Sequence, residues 1–296
     1  FDIDRSFVFT WFGLRFMILL GMLWYFLYFF NNSLNYLYVF GGYVINGGHD
    51  TIDFPTLSSM GISYTVALLS SIVIFSVGYS LKKKFFFLSA NYILPFCFLT
   101  LLVLLLKILG SVQDLNGFKV LLYPDFSVLN WGTLRRVIGH TLVCLMIGFG
   151  FYDVSLFKDK MKDPIELFIR AIIQTLFVSL LVGAMALPMI EKVSEVPFGT
   201  NWVFSILPRW LSYTEFGYYY NFLFFFCISF LSFFMSVLLL HFMSRNLKLL
   251  YSLVNWPWLR FIMHAGFVAI NAYMTVLLGR NLQGWSGQSF VIFAGV

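Results

Sequence analysis

Charge is scarce in this chain. Only 11% of its residues are Asp, Glu, Lys or Arg, against about 25% in a soluble globular domain. So few charges cannot clothe a water-exposed surface of ordinary composition. Cysteine is sparser still: Cys97, Cys144 and Cys227 lie singly in apolar runs, without paired spacing. That excludes a Cys-x-x-Cys motif, gives no indication of redox compartment, and reads all three as small packing residues. Several chemical signatures are missing as well. The sequence has no nucleophile elbow, no glycine-rich phosphate loop and no His-Glu-x-x-His run, so nothing in it argues for an enzyme. The net charge of +6 sits mostly in short loops and at helix ends. No basic stripe with interleaved aromatics appears, and nucleic acid is not an expected partner. Phe1 to Ser6 resemble no signal peptide, and a first residue of Phe reads as a processed start or the inside of a longer chain.

What remains is apolar and aromatic. Hydrophobic residues make up 60% of the chain and aromatics 21%, with a mean hydropathy of +0.86, and the apolar runs are long enough to match a bilayer core. The 38 phenylalanines suit an AT-rich coding sequence, because Phe codons are T-rich. Eight hydrophobic segments are predicted, at 14–40, 62–81, 85–109, 134–153, 164–190, 217–245, 257–279 and a short one from 288. An amphipathic piece lies near 200–213. The expected architecture is all-α: a polytopic transmembrane helix bundle forming one domain over 1–296, with about seven full spans and a partial last helix. Lys82–Lys84, Lys158, Lys160, Lys162, Arg245 and Lys248 mark three loops that alternate with less basic ones. The positive-inside rule puts this basic set, and the N-terminus, on the cytoplasmic or equivalent side. Arg135, Arg136, Arg209 and Arg280 fall on the other side, so the orientation rests on bias. Neither a separate soluble domain nor a tandem repeat is visible.

The stretch from Asn91 to Lys158 carries the most specific pattern. An apolar helix runs into the loop Pro124-Asp125-Phe126-Ser127, and a second apolar helix breaks at Gly148-Phe149-Gly150. This order resembles the fifth and sixth helices of the neurotransmitter:sodium symporter family, inverted-repeat transporters of amino acids and amines. By the same resemblance 14–40 takes the place of the third helix and 62–81 the fourth. The run 164–190, ending in Gly183 and Pro188, takes the place of the seventh, 217–245 the eighth and 257–279 the ninth. Phe198-Gly199-Thr200-Asn201 through Leu207-Pro208 is similar to the family's fourth external hairpin. Nothing in the sequence resembles the family's first two or last two helices. The implied fold is therefore a partial inverted-repeat symporter.

The resemblance implies site residues, some kept and some changed. Gly148, Phe149 and Gly150 correspond to an unwound hinge, which two glycines permit at low steric cost; close helix packing is their plainer role. Tyr25, after Trp24, takes the place of a tyrosine that meets the substrate carboxylate, though a tyrosine in such a chain is more often packing. Gln174 or Thr175, and Ser232, are the candidate residual sodium ligands, since a hard cation wants oxygen. Three positions are degenerate against the family: Cys144 replaces a hydroxyl ligand, Met146 fills space left for substrate, and Phe233 replaces the second of two hydroxyls. His140, His241 and His264 read as structural or interfacial. Lys107 can snorkel to the interface, and Arg170 lies within helical reach of Asp163 and Glu166.

Two functions follow as expectations. The favoured one is a transport-inactive relative kept as an accessory subunit of a larger membrane complex, its partners being the lipid bilayer and other membrane subunits. The mitochondrial inner membrane is its expected location and the plasma membrane the alternative. The second is an active sodium-coupled symporter of amino acids or similar zwitterions. No cofactor is expected beyond sodium, and sodium only if the chain transports.

Overall fold

A computed structural model describes residues 5–45, 64–80, 83–111, 176–185, 202–252 and 257–282, with isolated positions between 123 and 173. Every regular element among the described residues is helical and none is a strand. Helix α1 spans Arg5–Ile45, α2 Tyr64–Ser80 and α3 Lys83–Ser111. A π-helical turn at Trp202–Ile206 leads into the short α4, Leu207–Ser212. Two long helices follow, α5 at Gly217–Ser252 and α6 at Pro257–Leu282. The expected segments at 62–81, 85–109, 217–245 and 257–279 thus lie largely on α2, α3, α5 and α6, and 14–40 lies inside α1. Described residues of the 164–190 segment are helical at 169, 172–173 and 176–185. The segment from 288 lies outside the described residues.

The chain folds as two compact units: Phe1–Thr100 with Thr200–Trp285, and Leu101–Gly199 with Ser286–Val296. In the first unit α1 is the central helix. It packs most extensively on α5 and also meets α6 and α2. Ring pairs fix an antiparallel register between α1 and α5. Tyr43 stacks on Tyr218 with centroids 5.5 Å apart, Tyr36 on Phe225 at 4.4 Å, and Phe30 meets Phe233 at 5.7 Å. Each step up one helix is a step down the other. The described part of the second unit includes Leu181 and Met185, both buried, on a helix whose residues 176–180 are exposed.

Two stretches are long and apolar enough to cross a membrane, Asn91–Gly110 in α3 and Gly217–Leu240 in α5, and they point to a membrane protein. Helix α1 carries Asn31, Asn32, Ser33 and Asn35 in the middle of its length. In apolar surroundings the backbone and every polar side chain need partners inside the protein. Helical geometry satisfies the backbone, and several side chains bond back one turn. Thr100 donates to the Phe96 carbonyl at 3.0 Å, Ser236 to Ser232 at 2.7 Å and Thr275 to Asn271 at 2.7 Å. Pro95 sits inside α3 without ending it.

The corner between α4 and α5 is built from backbone and one asparagine. Phe216 adopts a left-handed conformation with φ 58° and precedes the first residue of α5. Gly217 follows, and a Cβ there would press on the main chain of α4, 2.8 Å from Ser212 Cα. Only glycine fits that approach. Asn221 Nδ2 then donates to the Pro208 carbonyl and to Ser212 Oγ, each at 2.9 Å. One side chain in the second turn of α5 thereby holds the end of α4.

Candidate functional site

The described candidates, Tyr25, Ser232 and Phe233, all lie on the α1–α5 pair. Gly148, Phe149, Gly150, Cys144, Met146, Gln174 and Thr175 lie outside the described residues. Tyr25 is half-buried, and its ring packs on Phe29 at 4.7 Å and Phe26 at 5.9 Å. Phe29 continues to Phe204 at 5.2 Å, and Phe204 to Tyr36 at 5.7 Å. Tyr25 therefore begins a row of rings that runs along α1 and onto the π turn. The neighbouring Trp24 carries a polar contact to another helix: its indole Nε1 donates to Asn271 Oδ1 of α6 at 2.6 Å. Asn271 in turn donates to the Phe267 carbonyl at 2.6 Å.

Ser232 is buried on α5, and its carbonyl takes the Ser236 hydroxyl. Beside it, the Phe233 ring faces Phe30. A sodium ion needs several converging oxygens. At this place one hydroxyl stands next to an aromatic pair, and the other candidate ligands, Gln174 and Thr175, lie outside the described residues. Among the described residues there is also no group of three or more His, Cys, Asp or Glu.

Further polar contacts on α1 lay outside the sequence reading. Asn31 is fully buried; its Nδ2 donates to the Leu27 carbonyl at 2.8 Å, and its Oδ1 accepts the Ser70 hydroxyl of α2 at 2.9 Å. Tyr36 donates its hydroxyl to the Phe204 carbonyl. A π turn widens the helical hydrogen-bond pattern and can leave a carbonyl available to a side chain, and that carbonyl is what Tyr36 engages. The signal was present in the sequence, since Asn221 and Asn271 stand alone among apolar residues and Asn31 opens a short polar run inside one. Isolated amides in such runs mark helix-to-helix hydrogen bonds.

The cysteine reading changes. Cys97 of α3 and Cys227 of α5, read from sequence as unrelated packing residues, are brought together. The Cys97 thiol lies 3.9 Å from the Cys227 main-chain carbonyl, and both side chains are buried. Sequence spacing could not show this, because 130 positions separate them.

No protein-family model, curated protein or solved structure matches the chain.

Proposed function

We propose that the chain is a transport-inactive membrane scaffold: a polytopic helical bundle with a degenerate symporter-like fold, acting as an accessory subunit of a larger membrane assembly. The observation that carries this reading is the filling of the α1–α5 interface by rings. Tyr36 and Phe225 stack at 4.4 Å, Phe40 lies on Phe225 at 5.9 Å and Phe204 on Phe225 at 6.0 Å. A transporter of this class works around a polar cavity near the bilayer midplane. Among the described residues of this interface, rings at these spacings take up the space that such a cavity would need. The outward residues of α3 supply the complementary feature. Tyr92, Phe96, Leu99, Val103 and Leu106 are exposed at alternating steps of four and three along one stripe. Such a stripe suits lipid or a partner helix, where association depends on packing. Within this reading the mitochondrial inner membrane, rich in multi-subunit assemblies, is the proposed location.

The deciding experiment joins two measurements on the detergent-solubilised protein. Sodium-dependent binding of a mixed amino-acid pool is expected to be absent, and the protein is expected to migrate in a large complex on native gels of its own membrane. Saturable binding that requires sodium would overturn the scaffold and establish the symporter.

A further inference from the structure

Three exposed rings cluster at the corner where α4 turns into α5. Tyr213 is 79% exposed, Phe216 69% and Tyr219 54%. Phe216 and Tyr219 lean together, with centroids 6.3 Å apart and planes at 57°. One of the three stands where its residue type is disfavoured. Phe216 has φ 58°, a left-handed conformation that glycine and asparagine adopt far more readily than a bulky side chain. The main-chain role of this position needs no ring. Its carbonyl accepts the Tyr219 amide at 3.0 Å and the Tyr220 amide at 3.3 Å, and any residue offers the same oxygen. Nor is the ring part of the core: it meets Tyr219, itself exposed, and stays mostly uncovered. Backbone strain at an exposed aromatic residue points to a use for the ring outside the protein.

Position along α5 supplies the partner. The stretch apolar enough to cross a membrane begins at Gly217, the residue after Phe216. Its 24 residues rise about 36 Å, against about 30 Å for the hydrocarbon core. The excess carries the ends of the span into the headgroup layers, and the α4–α5 corner lies at that level. Tyrosine suits it, having an apolar ring and a polar hydroxyl. A phenyl ring settles at the boundary between headgroups and acyl chains. The outer side of α4 adds a cation: Arg209 is exposed, while Leu207, Pro208 and Leu211 are buried. A guanidinium matches a phosphate. We propose that Tyr213, Phe216 and Tyr219, with Arg209, form a lipid anchor that seats the corner in the phospholipid headgroup layer and fixes the depth of α5. Asn221 couples the two helices of the anchor, since its Nδ2 holds both the Pro208 carbonyl and Ser212 Oγ. The anchor rests on α5 being a membrane span and not on the scaffold reading, so it holds for a transporter as well.

The test uses the full chain in phosphatidylcholine liposomes, carrying one nitroxide label at Glu215→Cys or at Phe230→Cys. The background is Cys144→Ser, and the native Cys97 and Cys227 are buried. Depth is read from the relative collision rates of the label with oxygen and with a water-soluble nickel chelate. Phe230 lies thirteen residues beyond Gly217, about 20 Å along the axis, and its label is expected deep in the bilayer. The label at 215 is expected at headgroup level. Phe216→Asn then separates anchorage from folding, because it removes the ring and relieves the backbone together. The thermal midpoint in detergent is expected to hold or to rise by up to about 4 °C. The label at 215 should meanwhile move toward water by about 3 Å, two residues of helical rise. Phe216→Trp, which keeps a ring, should leave the label in place. A lowered midpoint with Phe216→Asn would overturn the anchor, since it would make the ring a packing residue of the corner. A label at 215 that meets nickel as freely as in water would overturn it too, leaving the rings to a protein partner. A shallow label at 230 would remove the span itself, a failure distinct from the other two.

Discussion

Two stretches of this chain are almost equal in hydropathy and opposite in surroundings. Asn91–Gly110 of α3 has a mean hydropathy of 2.5 and is 24% buried; Gly217–Leu240 of α5 has 2.6 and is 56% buried. Hydropathy reports the cost of leaving water, and it cannot say whether lipid or protein replaces the water. The kind of interruption does say. The α5 stretch carries Asn221, Cys227, Ser229, Ser232 and Ser236, all buried among other helices. Small and polar residues in an apolar run serve helix pairing. The exposed stripe of α3 from Tyr92 to Leu106 is built of large apolar side chains, which need only a hydrophobic solvent.

That contrast can be broken experimentally. The largest effect is expected at the centre of the α1–α5 interface. Phe225 is fully buried against Tyr36, Phe40 and Phe204, and Phe225→Ala should cost about 3–5 kcal/mol in a reversible unfolding assay. Leu99→Ala, on the outward side of α3, should change stability by less than about 0.5 kcal/mol. Comparable losses at the two sites would erase the distinction between them. Next in size, Leu99→Arg should raise the cost of membrane insertion by about 2.5–3.5 kcal/mol. Glycosylation mapping in microsomes reads this directly, and unchanged insertion would place the α3 stretch outside the bilayer. At the α4–α5 corner, Gly217→Ala forces a Cβ toward the main chain of Ser212. About 1–3 kcal/mol should be lost there, visible as a lower midpoint of thermal unfolding in detergent; an unchanged midpoint would mean that the corner opens freely. The smallest effect sharpens the comparison from the polar side. Asn271→Ala removes the acceptor of the Trp24 indole and should cost about 0.6 kcal/mol, a common value for an interhelical bond in a membrane. A double-mutant cycle with Trp24→Phe isolates it, and zero coupling would remove Trp24–Asn271 as a link between α1 and α6.

Helix positions were legible because long apolar runs, loop charges and breaking residues are local features of a sequence. The runs at 62–81 and 257–279 lie close to α2 and α6, Tyr64–Ser80 and Pro257–Leu282. The full reach of α1 was harder to see, since Arg5, Arg15 and the mid-helix asparagines look like limits to a span. They limit only hydropathy; the helix itself continues through them. Partnerships were not legible. Trp24 with Asn271, Tyr36 with the Phe204 carbonyl, and Cys97 with Cys227 all depend on which faces meet, over separations of 130 residues or more. Of the site residues suggested by resemblance, Tyr25 proved to sit in a row of rings and Phe233 against Phe30. Residue type alone could not reveal those neighbours, because an aromatic side chain serves packing and recognition equally well.

The antiparallel register has a mechanical consequence. With Gly217–Leu240 of α5 across the bilayer, the stacking of Tyr43 on Tyr218 sets the C-terminal half of α1 alongside it. The remaining lengths, the first turns of α1 and the stretch of α5 from His241 to Ser252, then lie at the same end of the pair. The twelve residues of α5 from His241 to Ser252 extend about 18 Å. Arg5, Arg15, Arg245 and Lys248 all lie in that pair of extensions. Basic residues far apart in the sequence are thereby gathered at one end of the α1–α5 pair.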